Sequence, residues 1–126
     1  MTPIETVALA YERWAQDDFD GFLDLFASDA VFVVPGATRV SGDHDKKAFR
    51  AVLESIEEAT RAGRHRQELV CTYEGESGVV AVFDTFLGGP DAAQYHSAHE
   101  WIFRDGVPHV WMLYVHEYDV FDAAWR

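Results

Sequence analysis

The hydrophobic period of this 126-residue chain changes at Gly63 and does not change back. Before it, apolar side chains recur in steps of three and four. They fall at Ile4, Val7, Ala8, Tyr11 and Trp14, then Phe19, Phe22, Leu23 and Phe26, then Phe49, Val52, Leu53 and Ile56. Such steps share one helix face and predict helices over residues 4–14, about 19–27 and about 46–62. Pro3 suits a first helical turn, Asp18 an N-cap of the second helix and Gly63 the stop of the third. Beyond Gly63 the alternation is that of strands, over residues 66–73, 79–87, 93–104 and 107–121. Turns are expected at 74–78, at Gly88-Gly89-Pro90-Asp91 and at Asp105-Gly106. Residues 30–34 read as a buried strand stopped by Pro35-Gly36, and 40–45 as loop. Helices followed by an antiparallel meander make an α+β layout, in one domain spanning residues 1–126.

The strand at 93–104 carries the chemistry. Its side chains alternate faces, so Tyr95, Ser97, His99, Trp101 and Phe103 share one side and His96, Ala98, Glu100 and Ile102 the other. A phenol, a hydroxyl and an imidazole in a row, walled by aromatic rings, suit a pocket for a small, mostly apolar molecule. A hairpin centred on 88–92 would pair Val82 with His99, Asp84 with Ser97 and Phe86 with Tyr95. Asp84 would then lie diagonally from His99 and orient it as a general base, with Tyr95 or Ser97 bonding the substrate oxygen. The opposite parity would turn Asp84 to solvent. A separate reading makes His99 a satisfied core histidine bonded to Ser97 or Asp84, with no substrate role.

Charge and composition exclude other classes. The net charge of −12 repels phosphate backbones and argues against nucleic-acid binding. The short basic run Arg61, Arg64, His65 and Arg66 reads as a helix end whose cations complement the helix dipole. No apolar run is long enough for a membrane span, and no basic-then-apolar leader opens the chain. Cys71 is the single cysteine, which forbids an internal disulfide, suits a reducing cytosol and is more in keeping with packing than with a nucleophile. A cytoplasmic protein is the expectation. His96 and His99 lie on opposite faces, His109 and His116 differ in parity, and His44 and His65 sit in loops or ends. None of these spacings suits zinc or iron, and no phosphate loop or nucleotide fingerprint is present, so neither metal nor cofactor is expected.

Three blocks resemble the nuclear transport factor 2-like superfamily, and within it the SnoaL-like branch. They are Trp14-Ala15-Gln16-Asp17-Asp18-Phe19-Asp20-Gly21-Phe22 running on through Leu25-Phe26-Ala27-Ser28-Asp29-Ala30-Val31-Phe32, Ser41-Gly42 with Phe49, and Trp101-Ile102-Phe103-Arg104-Asp105-Gly106. The resemblance implies a cone, in which three N-terminal helices pack in a curved, mainly antiparallel sheet around an internal pocket. It implies too that Tyr95, Ser97, His99 and Trp101 face that pocket, and that the outer sheet face forms a homodimer. Known members include ketosteroid isomerases, polyketide cyclases, epoxide hydrolases, a dehydratase and non-catalytic binding modules.

Carried over position by position, no catalytic set of these relatives is complete. The isomerase base, which precedes a proline, falls at Val34, and the isomerase's second acid falls at His99. Cyclases of the SnoaL type resemble the chain in having a histidine there, but their aspartate falls at Leu113. The Arg-x-Asp pair of the hydrolases falls at Val82 and Asp84. The candidate catalytic residues are therefore His99, Asp84 and Tyr95, with Trp14, Val34, Phe49, Ser97, Trp101, Trp111 and Leu113 as the substrate-binding wall. Two functions follow: acid–base catalysis of the isomerase, cyclase or dehydratase type on a small apolar or aromatic carbonyl or hydroxyl compound, or a non-catalytic ligand-binding or dimerisation module of the same fold. The last strand is apolar on both faces, which independently suggests a homodimer across the sheet; an outer face that pairs with a different protein is a third reading.

Overall fold

The computed structural model describes residues 1–90 and 92–126; Asp91, in the loop expected before the strand at 93, lies outside the described residues. The three N-terminal helices each begin where a side-chain oxygen accepts from a free backbone N–H. Thr2 and Glu5 form a reciprocal capping box at α1 (Pro3–Ala15), Asp18 accepts from Gly21 at α2 (Phe19–Leu23), and Asp45 accepts from Ala48 at α3 (Lys46–Arg61). Gly63, at a φ of +73°, takes the left-handed conformation that ends α3.

The strands are β1 (Val31–Val34), β2 (Gly42–His44), β3 (Arg66–Glu74), β4 (Gly78–Leu87), β5 (Ala93–Arg104) and β6 (Val107–Val115). They form one curved, unclosed sheet in the order β2-β1-β6-β5-β4-β3, antiparallel except where β1 runs parallel to β6. The concave face carries Val79, Ala81, Phe83 and Thr85 of β4, Tyr95, Ser97, His99 and Trp101 of β5, and Trp111 of β6, all buried. The helices close over it through aromatic rings. Phe49 of α3 stacks on Phe32 of β1 at 4.4 Å and 8°, and Phe26 stacks on Trp101 at 4.7 Å. Each such pair adds about 0.5–1.5 kcal/mol beyond the area it buries.

The β4–β5 register differs by one residue from the sequence expectation. His99 pairs with Ala81, Ser97 with Phe83 and Tyr95 with Thr85, and Asp84 faces His96. A slip of one residue turns every side chain of a strand to the other face, so Asp84 lies on the convex side, away from His99. Gly78 helps fix this register, because a Cβ there would stand 1.8 Å from the Trp101 carbonyl oxygen.

Two further elements were not expected. Residues 42–44 pair with β1 rather than forming loop. The last strand ends at Val115, not at residue 121, and a fourth helix, α4 (Tyr118–Ala124), follows. Tyr118, Phe121 and Trp125 recur at three- and four-residue steps, and Phe121 and Trp125 are buried. That stripe lays α4 across the end of the sheet.

Candidate functional site

Between the concave sheet and the helices lies a small chamber of about 40 Å³. Trp14, Val34, Phe49, Tyr95, Ser97, His99, Trp111 and Leu113 all line it. Of the residues proposed from the sequence, Trp101 sits deeper, fully buried beneath Tyr11, and Asp84 is outside. The chamber wall also takes in His65, Gln67, Thr85, Phe121 and Trp125. The sequence pattern did not mark these, since His65 looked like part of a solvated basic run and Trp125 like a trailing end. No lining side chain is a carboxylate.

Beyond the chamber opens a larger basin of about 460 Å³, walled by the end of α3, the β4–β5 turn and α4. His65 and Trp125 line both spaces and so form the partition between them.

The protonation of His99 can be read from its partners. The Trp101 indole N–H donates to the Tyr11 oxygen at 2.9 Å, and that oxygen lies 2.7 Å from His99 Nδ1. The Tyr11 hydroxyl hydrogen has no other acceptor among the described residues, so it must go to Nδ1. His99 is then the Nε2–H tautomer, and Nε2 has no partner among the described residues. Phe83 stacks on the ring at 4.5 Å and Trp111 lies 4.6 Å away. Burial in this aromatic box pushes the His99 pKa down to about 3, so the ring is neutral and offers a donor to the chamber. Burial likewise raises the pKa of Tyr11, which keeps its proton. The Trp111 indole N–H lies close enough to favour negative charge on the same phenol oxygen, yet it makes no hydrogen bond. It is the one fully buried side-chain polar atom without a partner among the described residues.

His65 is the complement. The Thr60 hydroxyl gives its single hydrogen to the Ile56 carbonyl at 2.8 Å and lies 3.2 Å from His65 Nδ1. Nδ1 must therefore be the donor in that contact, which leaves the lone pair on Nε2. Burial pushes the His65 pKa down to about 4. Two neutral imidazoles thus wall one chamber in opposite tautomers, one donating through Nε2 and one accepting. Tyr95 accepts a long bond from Trp125 Nε1 at 3.4 Å, and burial raises its pKa.

Asp84 does hold an imidazole, on the other side of the sheet. Its Oδ1 lies 3.3 Å from His96 Nε2, while Glu117 takes His96 Nδ1 at 2.6 Å and the His96 backbone N–H at 2.8 Å. The hydrogen bond to Glu117 raises the His96 pKa. Among the described residues no cluster of three or more His, Cys, Asp or Glu side chains could hold a metal, and no helix is long and apolar enough to cross a membrane.

Helices seated in a curved, unclosed sheet around an inner chamber define the nuclear transport factor 2-like class of fold. Within that class the chain belongs to the SnoaL-like domain family, whose model matches residues 7–107. It superposes with a TM-score of 0.86 on Bal32a from a soil-derived mobile gene cassette, at 21% identity over 98% of this chain and 96% of that one. TerC, co-crystallized with polyporic acid, superposes at 0.78 with 18% identity over 97% of each chain. A protein from Xanthomonas campestris pv. campestris provisionally named a polyketide cyclase superposes at 0.74, with 14% identity over 98% of this chain and 96% of that one. No curated protein matches the chain significantly. At these identities the solved structures establish the fold alone.

Replacing Tyr11 by Phe strands the Trp101 N–H and frees His99 Nδ1. The expected cost is about 2 kcal/mol in urea unfolding, and nitrogen-15 spectra should show His99 changing from a fixed Nε2–H tautomer to a mixture. A wild-type His99 protonated on Nδ1 would contradict the assignment.

Acid should weaken the fold through the same two rings. Their folded pKa values lie below the unfolded value near 6.5, so the unfolded chain binds more protons between about pH 6.5 and 4. Stability is complete above that window and falls as pH drops through it, by about 1 kcal/mol per ring between pH 7.5 and 5.5. His96, with its pKa raised, acts in the opposite sense, its contribution fading as pH rises above 6.5. Denaturant midpoints measured across this range should fall toward acid, and less steeply in His65→Gln.

Proposed function

We propose that this chain takes a small apolar or aromatic carbonyl or hydroxyl compound into the cone and moves a proton on it. The observation that carries this reading is the pinned, neutral His99, with Nε2–H free to bond an oxygen in an otherwise aromatic chamber. With its Nδ1 lone pair taken by the Tyr11 hydroxyl, His99 acts in this reading as a hydrogen-bond donor, in place of the general base expected from the sequence. His65 Nε2 is the acceptor. With a ketone, His65 takes a proton from the carbon beside the carbonyl, and the C–H electron pair becomes the enolate double bond. Charge collects on the oxygen that His99 holds, and return of the proton to the same carbon exchanges it. In a β,γ-unsaturated ketone, whose dienolate carries charge to the γ carbon, return there moves the C=C bond and completes an isomerisation. Tyr95 and Ser97 supply further hydroxyls on the same wall. That a chain of the same fold was crystallised with polyporic acid supports the small-molecule part of the reading.

A chamber of about 40 Å³ holds little more than a water, whereas small-molecule sites span some 300–1,000 Å³. Ligand entry therefore requires side chains of the chamber wall to move, and the Trp125 side, facing the larger basin, is one way in. The competing reading is a binding module without turnover, favoured by the absence of a lining carboxylate and by the low basicity of His65.

Hydrogen–deuterium exchange at the carbon beside the carbonyl of 1-indanone separates the two. Catalysis predicts exchange well above the buffer rate, lowered about a hundredfold in His65→Ala and in His99→Ala. Indanone that perturbs the His99 nitrogen signals yet exchanges at the buffer rate would leave the module; indanone that fails to bind would remove both readings.

The convex face supports a second copy of the chain as partner. It carries Val82, Ile102, Val110 and Met112, half-buried, beside the exposed Tyr114. Light scattering at micromolar concentration should give twice the 14.3 kDa chain mass, and a monomer would refute the dimer.

A further inference from the structure

The outer basin has a charge the rest of the molecule lacks. Of the ten basic side chains, Arg50, Arg61, Arg66 and Arg126 are ion-paired, and Arg13 and Lys46 donate to backbone carbonyls. The charged ends of the other four, Arg39, Lys47, Arg64 and Arg104, have no such partner among the described residues. Two of these four, Arg39 and Arg64, line the basin. They come from distant parts of the chain and are set in place by backbone bonds. The Arg39 N–H donates to the Trp125 carbonyl at 3.0 Å, and the Arg64 carbonyl accepts from Gly88 at 3.1 Å. The Arg39 guanidinium lies over the Trp125 indole, 5.3 Å from the ring centre.

The remaining wall is apolar, from Leu87, Val120, Ala123 and Ala124, with the neutral His65 and one exposed carboxylate, Asp119. Among the described residues, two guanidiniums against one lining carboxylate leave a cationic hollow on a chain of net charge −12. Bulk electrostatics would repel an anion from this protein, so a basin that inverts the sign is selective. A guanidinium presents paired N–H groups that fit a carboxylate, and the apolar wall fits a ring or alkyl body.

From this juxtaposition we infer that the basin binds an organic carboxylate, its acid group held between Arg39 and Arg64 and its apolar body laid against Leu87, Val120 and the α4 alanines beside Trp125. This rests on the small-molecule reading above and sharpens it: the compound admitted to the chamber is an amphipathic acid whose polar end stays at the mouth. Trp125, at the edge of the basin, is then the indole nearest the bound ligand.

Paired probes of one shape test it, 2-naphthoate and the neutral 2-naphthalenemethanol, titrated into the intact protein by calorimetry and by nitrogen-15 NMR. At low salt naphthoate should bind about tenfold more tightly than the alcohol and shift the Trp125 indole signal, and the preference should shrink in 0.5 M salt, a concentration of roughly that order being enough to screen an exposed pair. In Arg39→Gln/Arg64→Gln, the preference of naphthoate over the alcohol should vanish. Equal affinity for both probes in the wild type would overturn the carboxylate site yet leave the small-molecule reading standing. A preference that survives the double substitution would also overturn it, as would a naphthoate that leaves Trp125 unmoved. If neither probe binds, the basin is no ligand site and the wider reading falls with it.

Discussion

The hydroxyl of Tyr11 joins a helix to the sheet at a point where two ring systems need it. It satisfies the indole N–H of Trp101, which is fully buried, and it decides which nitrogen of His99 carries a hydrogen. A buried imidazole with no such partner would be free to exchange tautomers, and its face toward the chamber would alternate between donor and acceptor. A single hydrogen bond of 2.7 Å removes that choice. Because Tyr11 sits on α1, the chemistry of the chamber depends on how that helix docks, and the capping box at its first turn is part of the site at a distance.

The sheet also sorts charge from neutrality. On its concave side the imidazoles are stripped of water and stay uncharged. On its convex side Asp84 and Glu117 grip His96 from both ring nitrogens and favour the protonated form. His96 and His99 are three residues apart on one strand, yet burial and neighbouring carboxylates drive their proton affinities in opposite directions. Position along the chain says nothing about this; the face of the strand says nearly all of it.

Period and punctuation made most of the fold legible. The three helices, the meander and the Asp105-Gly106 turn follow from the spacing of apolar residues and from local capping chemistry. The face of β5 was legible too, since Tyr95, Ser97 and His99 alternate with polar or small residues. The face of β4 was not. Val79, Ala81 and Phe83 on one side balance Val80, Val82 and Phe86 on the other, so hydrophobicity gives no parity, and a symmetric loop is a poor guide to register. Asp84 itself carried the missing signal, because an unpaired carboxylate inside an aromatic chamber is costly. The fourth helix was hidden by an apolar run that alternates as well as it spirals. With it went Trp125, and His65 was lost to its basic neighbours.

The closed partition sets a lower bound on what can occupy the cone. Displacing the Trp125 indole exposes a large buried surface, so a guest must recover that free energy through its own contacts. On the proposed function, a guest must therefore be large enough to offset that exposure. Most binding pockets reject ligands for being too large, through steric clash with their walls. This one would reject them for being too small, and its selectivity would be that of a threshold.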